Sequence, residues 1–180
     1  MFFLYKILAT LNLAEKLNKD YPEHNFLPMF WMATEDHDFE EINSVSVFDK
    51  TRQWNTDQGG AVGRFLIDEN FITIINQIAG DVKASSFGHE IIEIIESSYK
   101  LGDSLSICTR RFVSKLINDS NLIIVDGDDE QLKKEFNKIA QKEATDLITK
   151  KAVSETDTYL KNVGFHSQVH VRDINLFYLS

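Results

Sequence analysis

Apolar residues recur at spacings of three and four near the start of the chain. Leu4, Ile7, Leu8, Leu11, Ala14 and Leu17 fall on one face, with Lys6, Glu15 and Lys19 off it. That period predicts an amphipathic helix over 3–19. Pro22 stops it, because proline has no N–H to donate and clashes with the preceding turn. The pattern then changes. Residues 26–32, FLPMFWM, form an almost continuous apolar run, the signature of a strand buried on both faces in a parallel sheet. Pro28 confines that strand to an edge or places the proline in its first part. SVSVFD (44–49) and TRQWN (51–55) alternate and predict two short strands. DQGGAVGRFLI (57–67) predicts a glycine-rich hairpin turn leading into another strand.

Helical periods return over 68–80 and 86–99, divided at Gly80, and over 104–118 with Ser104 as the cap. NLIIVDGDD (121–129) is an apolar strand running into an acidic loop. From Asp128 a helical stripe of Leu132, Phe136, Ile139, Ala140, Leu147 and Ile148 continues to Asn162. A helix of about 35 residues exceeds the usual length, so a break is expected over 149–151. HSQVHV (166–171) and NLFYL (175–179) predict closing strands. Helix, apolar strand, helices, apolar strand, helix and strand in that order give an α/β layered domain with a mostly parallel sheet. The region 44–67 is then a small antiparallel insertion. The first helix has no strand ahead of it, and the last strand stops one residue before the chain does. Both features predict a domain incomplete at both ends, a piece of a longer protein.

Composition narrows the function classes. The 180 residues, 43 % of them hydrophobic, suffice for one domain with a core. A net charge of −9 argues against nucleic-acid binding, which needs clustered Lys and Arg. No apolar run reaches the ~20 residues of a membrane span. Lys6, Glu15 and Lys16 interrupt the N-terminal apolar stretch, so it does not read as a signal peptide, and a cytoplasmic protein is expected. The single cysteine, Cys108, excludes an intramolecular disulfide and a Cys-rich zinc site, and reads as a core residue of its helix. Trp31 is expected in the core and Trp54 partly exposed.

Glu35-Asp36-His37-Asp38 follows the first apolar strand, where ligands of open α/β sheets bind. Three carboxylates in four residues repel one another unless solvent, a cation, a ligand amine or a helix N-terminus offsets their charge. Two readings fit. The acids can sit at the start of a helical turn, or the tract can form a site. In such a site His37 is an acid/base or hydrogen-bond partner, and Asp36 or Asp38 holds an amine or a Mg²⁺-bound phosphate. Asp126 ends the second apolar strand at the same edge, and Gly127 after it permits a tight turn or close ligand approach. Asp128 reads as the cap of the long helix, with Asp129 favouring its dipole. The glycines of DQGGAVGRF are not a phosphate loop, since no Gly-Lys-Ser or Gly-Lys-Thr follows. His166 and His170 would share one face of a strand, a weak metal signal.

FLPMFWMATEDHDFEEIN closely resembles a tract of the bacillithiol-biosynthesis cysteine-adding enzymes, a family of cysteine ligases by name. LYKILATLNLAEKL, FGHEIIEIIESSYKLGDSLSICTRRFVSKL, NLIIVDGDDEQLKKEF and GFHSQVHVRDINLFYL are similar to further segments of that family, in order, so the resemblance covers nearly the whole chain. It implies a Rossmann-like core and a reaction joining cysteine to the amine of glucosaminyl-malate, with ATP, with or without Mg, as the energy source and no transition metal. It also implies Asp36, His37 and Asp38 as catalytic and Glu35, Asp126 and Asn175 as substrate-binding residues. Family members dimerise through a coiled coil that this chain lacks, and they carry a glycine-rich loop that would precede Leu4. The expectation is therefore a truncated, split or decayed chain, inactive alone, whose partners are the small molecules cysteine and glucosaminyl-malate. Two other readings stand beside it. One is a metal-dependent hydrolase built on Glu35, Asp36, His37 and Asp38 with His166 or His170, and the other is a noncatalytic remnant.

Overall fold

The N-terminal helical period gives α1, Phe2–Asp20, with Ile7 and Ala14 buried. The computed structural model describes residues 2–176, and the chain divides after Asp128 into two units. In the first unit β1, Met29–Met32, is followed by a hairpin of β2, Ser44–Val47, and β3, Lys50–Gln53. Three helices come next: α2, Glu69–Val82; α3, Gly88–Ser98; and α4, Leu105–Ile117. β4, Ile123–Asp126, then pairs parallel with β1, with Met29 opposite Ile123 and Met32 opposite Asp126. A parallel pair reached through intervening helices, plus an antiparallel hairpin, is the α/β arrangement that the element order predicts. Pro28 precedes β1, and its carbonyl accepts the Ile123 N–H at 3.0 Å. The proline therefore never has to donate within the ladder.

The two tryptophans exchange their expected places. Trp31 is 56 % exposed, because alternation along β1 turns Met32 inward and leaves Met29 and Trp31 on the other face. Trp54 is only 5 % exposed. Its backbone N–H bonds to the Asn43 carbonyl at 2.7 Å, extending the hairpin and turning the ring inward. There the indole meets Phe39, Phe65 and Phe71 at centroid separations of 5.2, 6.2 and 4.9 Å. Its Nε1–H donates to Asp68, which also accepts the Phe71 N–H and so caps α2. An apolar run or an alternating pair gives the strand but not which face finds a partner.

Residues 57–67 do not form a hairpin turn and strand. A 3₁₀ turn, Val62–Arg64, occupies the middle, and Leu66 makes one isolated bridge to Ser104. Gln58 takes the place of a partner strand, accepting the Leu66 N–H at 2.6 Å and donating to the Leu66 carbonyl at 2.9 Å. With those groups satisfied, Ala61, Val62, Phe65 and Ile67 can be buried in a loop. Gly80 lies inside α2 and not at a helix boundary. The boundary falls at 83–87, where Ser85 Oγ donates to the Val82 carbonyl and the Gly88 N–H to the Ser85 carbonyl. Ser104 does cap α4, accepting the Ile107 N–H, and Cys108 is fully buried in that helix. No helix of the described residues is long and apolar enough to cross a membrane.

The second unit holds α5, Glu130–Asp146, and α6, Ile148–Asn162. Asp129, not Asp128, caps α5 by accepting from the N–H groups of Gln131 and Leu132. The break comes at Leu147, whose φ of 52° is left-handed, slightly earlier than 149–151. Glu143 makes that break possible. Its side chain is buried and accepts the Thr149 N–H, at the start of α6, and the Asn175 N–H, each at 2.9 Å. Residues 166–171 form no strand and are almost wholly exposed, which corrects the closing-strand expectation there. Of the strand expected over 175–179, residues 175 and 176 lie outside any strand and the rest lie outside the described residues.

The two backbone donors, that of Thr149 first, hold the Glu143 carboxyl below its ordinary value of 4.5. A carboxyl with a lowered folded value adds stability above its unfolded value, and that contribution is lost as pH falls through the folded one. Glu143→Gln is expected to lower the melting temperature of α5 and α6 at neutral pH, with the difference shrinking below about pH 4. Thermal melts followed by circular dichroism across pH check this. A gap between wild type and variant that does not change with pH would contradict it.

Candidate functional site

Because Met32 lies opposite Asp126, the loops after β1 and β4 leave the sheet at the same edge. Thr34, 6 % exposed, joins them. Its hydroxyl donates to Asp126 Oδ1 and accepts the Asp128 N–H at 3.0 Å, which also reaches Asp126 Oδ1 at 3.0 Å. A third loop is laced to the first. The Gly63 N–H donates to the Thr34 carbonyl at 2.9 Å and the Val62 N–H to the Asp36 carbonyl at 2.7 Å. Arg64 then forks onto Asp128, with Nη2 3.0 Å from Oδ1 and Nε on Oδ2. That hydrogen bond pushes the guanidinium above its already high value. Asp128 is thus an inter-loop partner and not the helix cap expected of it. Arg110 donates to the Ile124 carbonyl at 3.3 Å and approaches Asp126 at 3.9 Å.

Gly63 lets the loops close. A Cβ there would overlap the Thr34 side chain and carbonyl. Gly63→Ala is expected to destabilise the unit by about 1–3 kcal/mol, measured by urea unfolding, because neither backbone can withdraw without breaking a loop contact. Gly127 gives a second close approach. The Glu35 carboxylate lies directly against it, where any side chain would collide.

The four titratable residues point in different directions. Glu35 folds back, its Oε1 accepting the Trp31 indole N–H at 3.3 Å. Its Oε2 is buried with no hydrogen-bond partner among the described residues. Asp36 Oδ1 accepts the N–H groups of His37 at 2.7 Å and Asp38 at 3.1 Å, an Asx turn that shapes the tract. The His37 ring is 80 % exposed, its Nδ1 3.6 Å from the same oxygen. Asp38 precedes a short 3₁₀ turn, Phe39–Glu41.

Asp36, Asp38 and Glu41 border a pocket of about 670 Å³ whose other walls include Phe30, Trp54, Phe71, Tyr99 and Phe112. Among the described residues no Lys, Arg or His lines it. A carboxylate mouth over an apolar chamber suits a ligand carrying an amine. Of the residues expected at the site, Asp36 and Asp38 both line this pocket. Glu35 and Asp126 lie at the same loop edge without lining the pocket, and His37 is displayed to solvent. Asn175 belongs to the second unit, where its backbone N–H binds Glu143 and its side chain is exposed. His166 and His170 lie in irregular backbone of that unit, not on a strand. Among the described residues no three His, Cys, Asp or Glu side chains converge as metal ligands would. Sequence reasoning passed over Thr34, Gly63 and Arg64. Only the unexplained glycine between Val62 and Arg64 in GAVGR signalled a close approach.

Residues 1–180 match the family model described as "Bacillithiol biosynthesis BshC, N-terminal Rossmann-like domain". The chain belongs to the BshC family. Its α/β architecture is accordingly Rossmann-like. Three BshC relatives bear the name "Putative cysteine ligase BshC". Those of Flavobacterium johnsoniae and Flavobacterium psychrophilum are 38 % and 40 % identical to the chain, each over 99 % of it and 33 % of their own length. The Christiangramia forsetii protein is 39 % identical over all of the chain and 34 % of its own length. The chain thus spans about a third of the BshC relatives it matches.

Proposed function

We propose that this domain is part of an enzyme that joins cysteine to the amine of glucosaminyl-malate in bacillithiol biosynthesis, and that Asp36 and Asp38 hold the substrate amine. The observation that carries this reading is the pair of carboxylates at the mouth of an apolar pocket with no basic residue in its lining, in a member of this family. An ammonium group entering there meets two anions at the rim, in a setting drier and less screened than bulk water. To attack a carboxyl carbon the ammonium must first lose a proton. On this reading His37, beside Asp36 and open to solvent, takes that proton and passes it to water. Glu35 and Asp126, at the same loop edge of this unit, complete the proposed substrate contacts.

The resemblance also implies ATP. The residues around the pocket do not fit a triphosphate, since Asp36, Asp38 and Glu41 would repel it and no cationic side chain lines the space. On this reading the partners are small molecules, the setting is the cytoplasm, and dimerisation rests on a helical segment outside this chain. The hydrolase alternative requires a His and carboxylate cluster, and none forms among the described residues.

A chimera tests the proposal. This chain would replace the matching third of the Flavobacterium johnsoniae relative, and cysteinyl amide formation from ATP, cysteine and glucosaminyl-malate would be followed by mass spectrometry. Product is expected. A folded chimera that makes none, beside an active parent, would overturn the assignment.

A further inference from the structure

We infer that Thr34 is the positioning residue of the pocket mouth, fixing the turn that carries Asp36 and Asp38; this rests on the amine-binding reading of that site. Thr34 is the most buried member of its loop and the point through which three loops are tied. Its hydroxyl is used in both directions, donating to Asp126 and accepting from the Asp128 backbone. Its carbonyl accepts from Gly63. Arg64, next to Gly63, closes the circuit by binding the Asp128 carboxylate. The path Thr34, Asp128, Arg64, Gly63 and back to Thr34 is a closed ring of contacts between segments far apart in the chain. Asp36 is braced by this ring at two points: it begins two residues after Thr34, and its carbonyl is held by Val62, next to Gly63. A carboxylate that is half exposed and held within its own loop only by an Asx turn takes its direction from such anchors.

Removing the hydroxyl while keeping the shape isolates the effect. Thr34→Val leaves the Gly63 bond intact but deletes both hydroxyl contacts, whereas Thr34→Ser keeps them. Two measurements on the chain are needed. The first needs no ligand: amide hydrogen exchange followed by NMR. Thr34→Val is expected to speed exchange at Val62, Gly63 and Asp128 by about tenfold, the scale of one lost hydrogen bond, with α3 unchanged. Thr34→Ser is expected to restore the wild-type rates. Unchanged exchange at those three amides, or equal acceleration throughout α3, would overturn the inference, since the first denies the clasp and the second makes Thr34 only a contributor to global stability.

The second measurement is calorimetric titration with glucosaminyl-malate. Thr34→Val is expected to weaken binding about tenfold and Thr34→Ser less than twofold, with Asp36→Asn as the comparison. If Asp36→Asn weakens binding and Thr34→Val does not, the positioning role is wrong while the amine site stands. If Asp36→Asn binds like wild type, or wild type fails to bind, the amine-site reading falls. The exchange data then decide alone whether Thr34 sets the turn.

Discussion

Alanine at position 54 is expected to cost the first unit about 3–5 kcal/mol, the range for truncating a large buried aromatic. Trp54 is almost fully enclosed and touches three other rings, and Phe71 continues the contacts through Tyr99 to Phe112. These rings come from the loop before the hairpin, the residue just after β3, the 3₁₀ loop, α2, the loop before α4 and α4 itself. Removing the central ring therefore opens a cavity between elements that cannot all close in on it. Domains of this size are stable by only about 5–15 kcal/mol, so the variant should unfold at much lower urea. Far-UV circular dichroism is the suitable probe because the substitution removes a fluorophore. Trp54→Phe keeps a ring but loses the bond to Asp68 and should cost less, since Asp68 still accepts from Phe71. A cost under about 1 kcal/mol for the alanine variant would mean that the ring cluster is not the centre of this core.

Asp36→Asn is expected to lower kcat/KM for the amine substrate by about tenfold to a hundredfold in the chimera, the scale of a lost hydrogen bond to a charged group. The substitution removes charge and little else. Asparagine retains an oxygen that can accept from the His37 and Asp38 N–H groups, so the turn persists. Asp36 is half exposed, so the melting temperature should hardly move. A large kinetic loss without a loss of stability separates a site residue from a structural one. Asp38→Asn, at the same mouth, should act in the same direction, and the pair together should lose less than the product of the single losses, because both act on one bound amine. Turnover of the Asp36 variant within twofold of the parent would sink the assignment.

Much of the architecture was legible as local pattern. The period of α1, the Ser104 cap of α4 and the two apolar runs that became the parallel pair β1 and β4 all follow from rules acting within a few residues. Two further site features were legible. The acidic tract had to follow a strand, and the register put Asp126 at the same edge. The misplaced features share a cause. Trp31 and Trp54 sit in similar strand-like patterns, and only the packing of distant rings turned one outward and the other inward. The 57–67 loop escaped because Gln58 satisfies backbone groups that a hairpin would have paired. The long helix broke at Leu147 because a buried carboxylate four residues earlier could take the N-terminal donor of α6.

The sequence alone determined the alternation of helix and strand, the acidic balance, and a carboxylate tract at the end of an apolar strand, since propensity and periodicity act between near neighbours. Only the tertiary structure decided which carboxylates face the pocket, that Glu35 turns back onto Gly127, and that Thr34 ties three loops together. Those outcomes depend on contacts such as that between Thr34 and Asp126, separated by 92 positions. No local pattern encodes a hydrogen bond across such a distance; it exists only once the strands have paired and brought their carboxyl ends side by side.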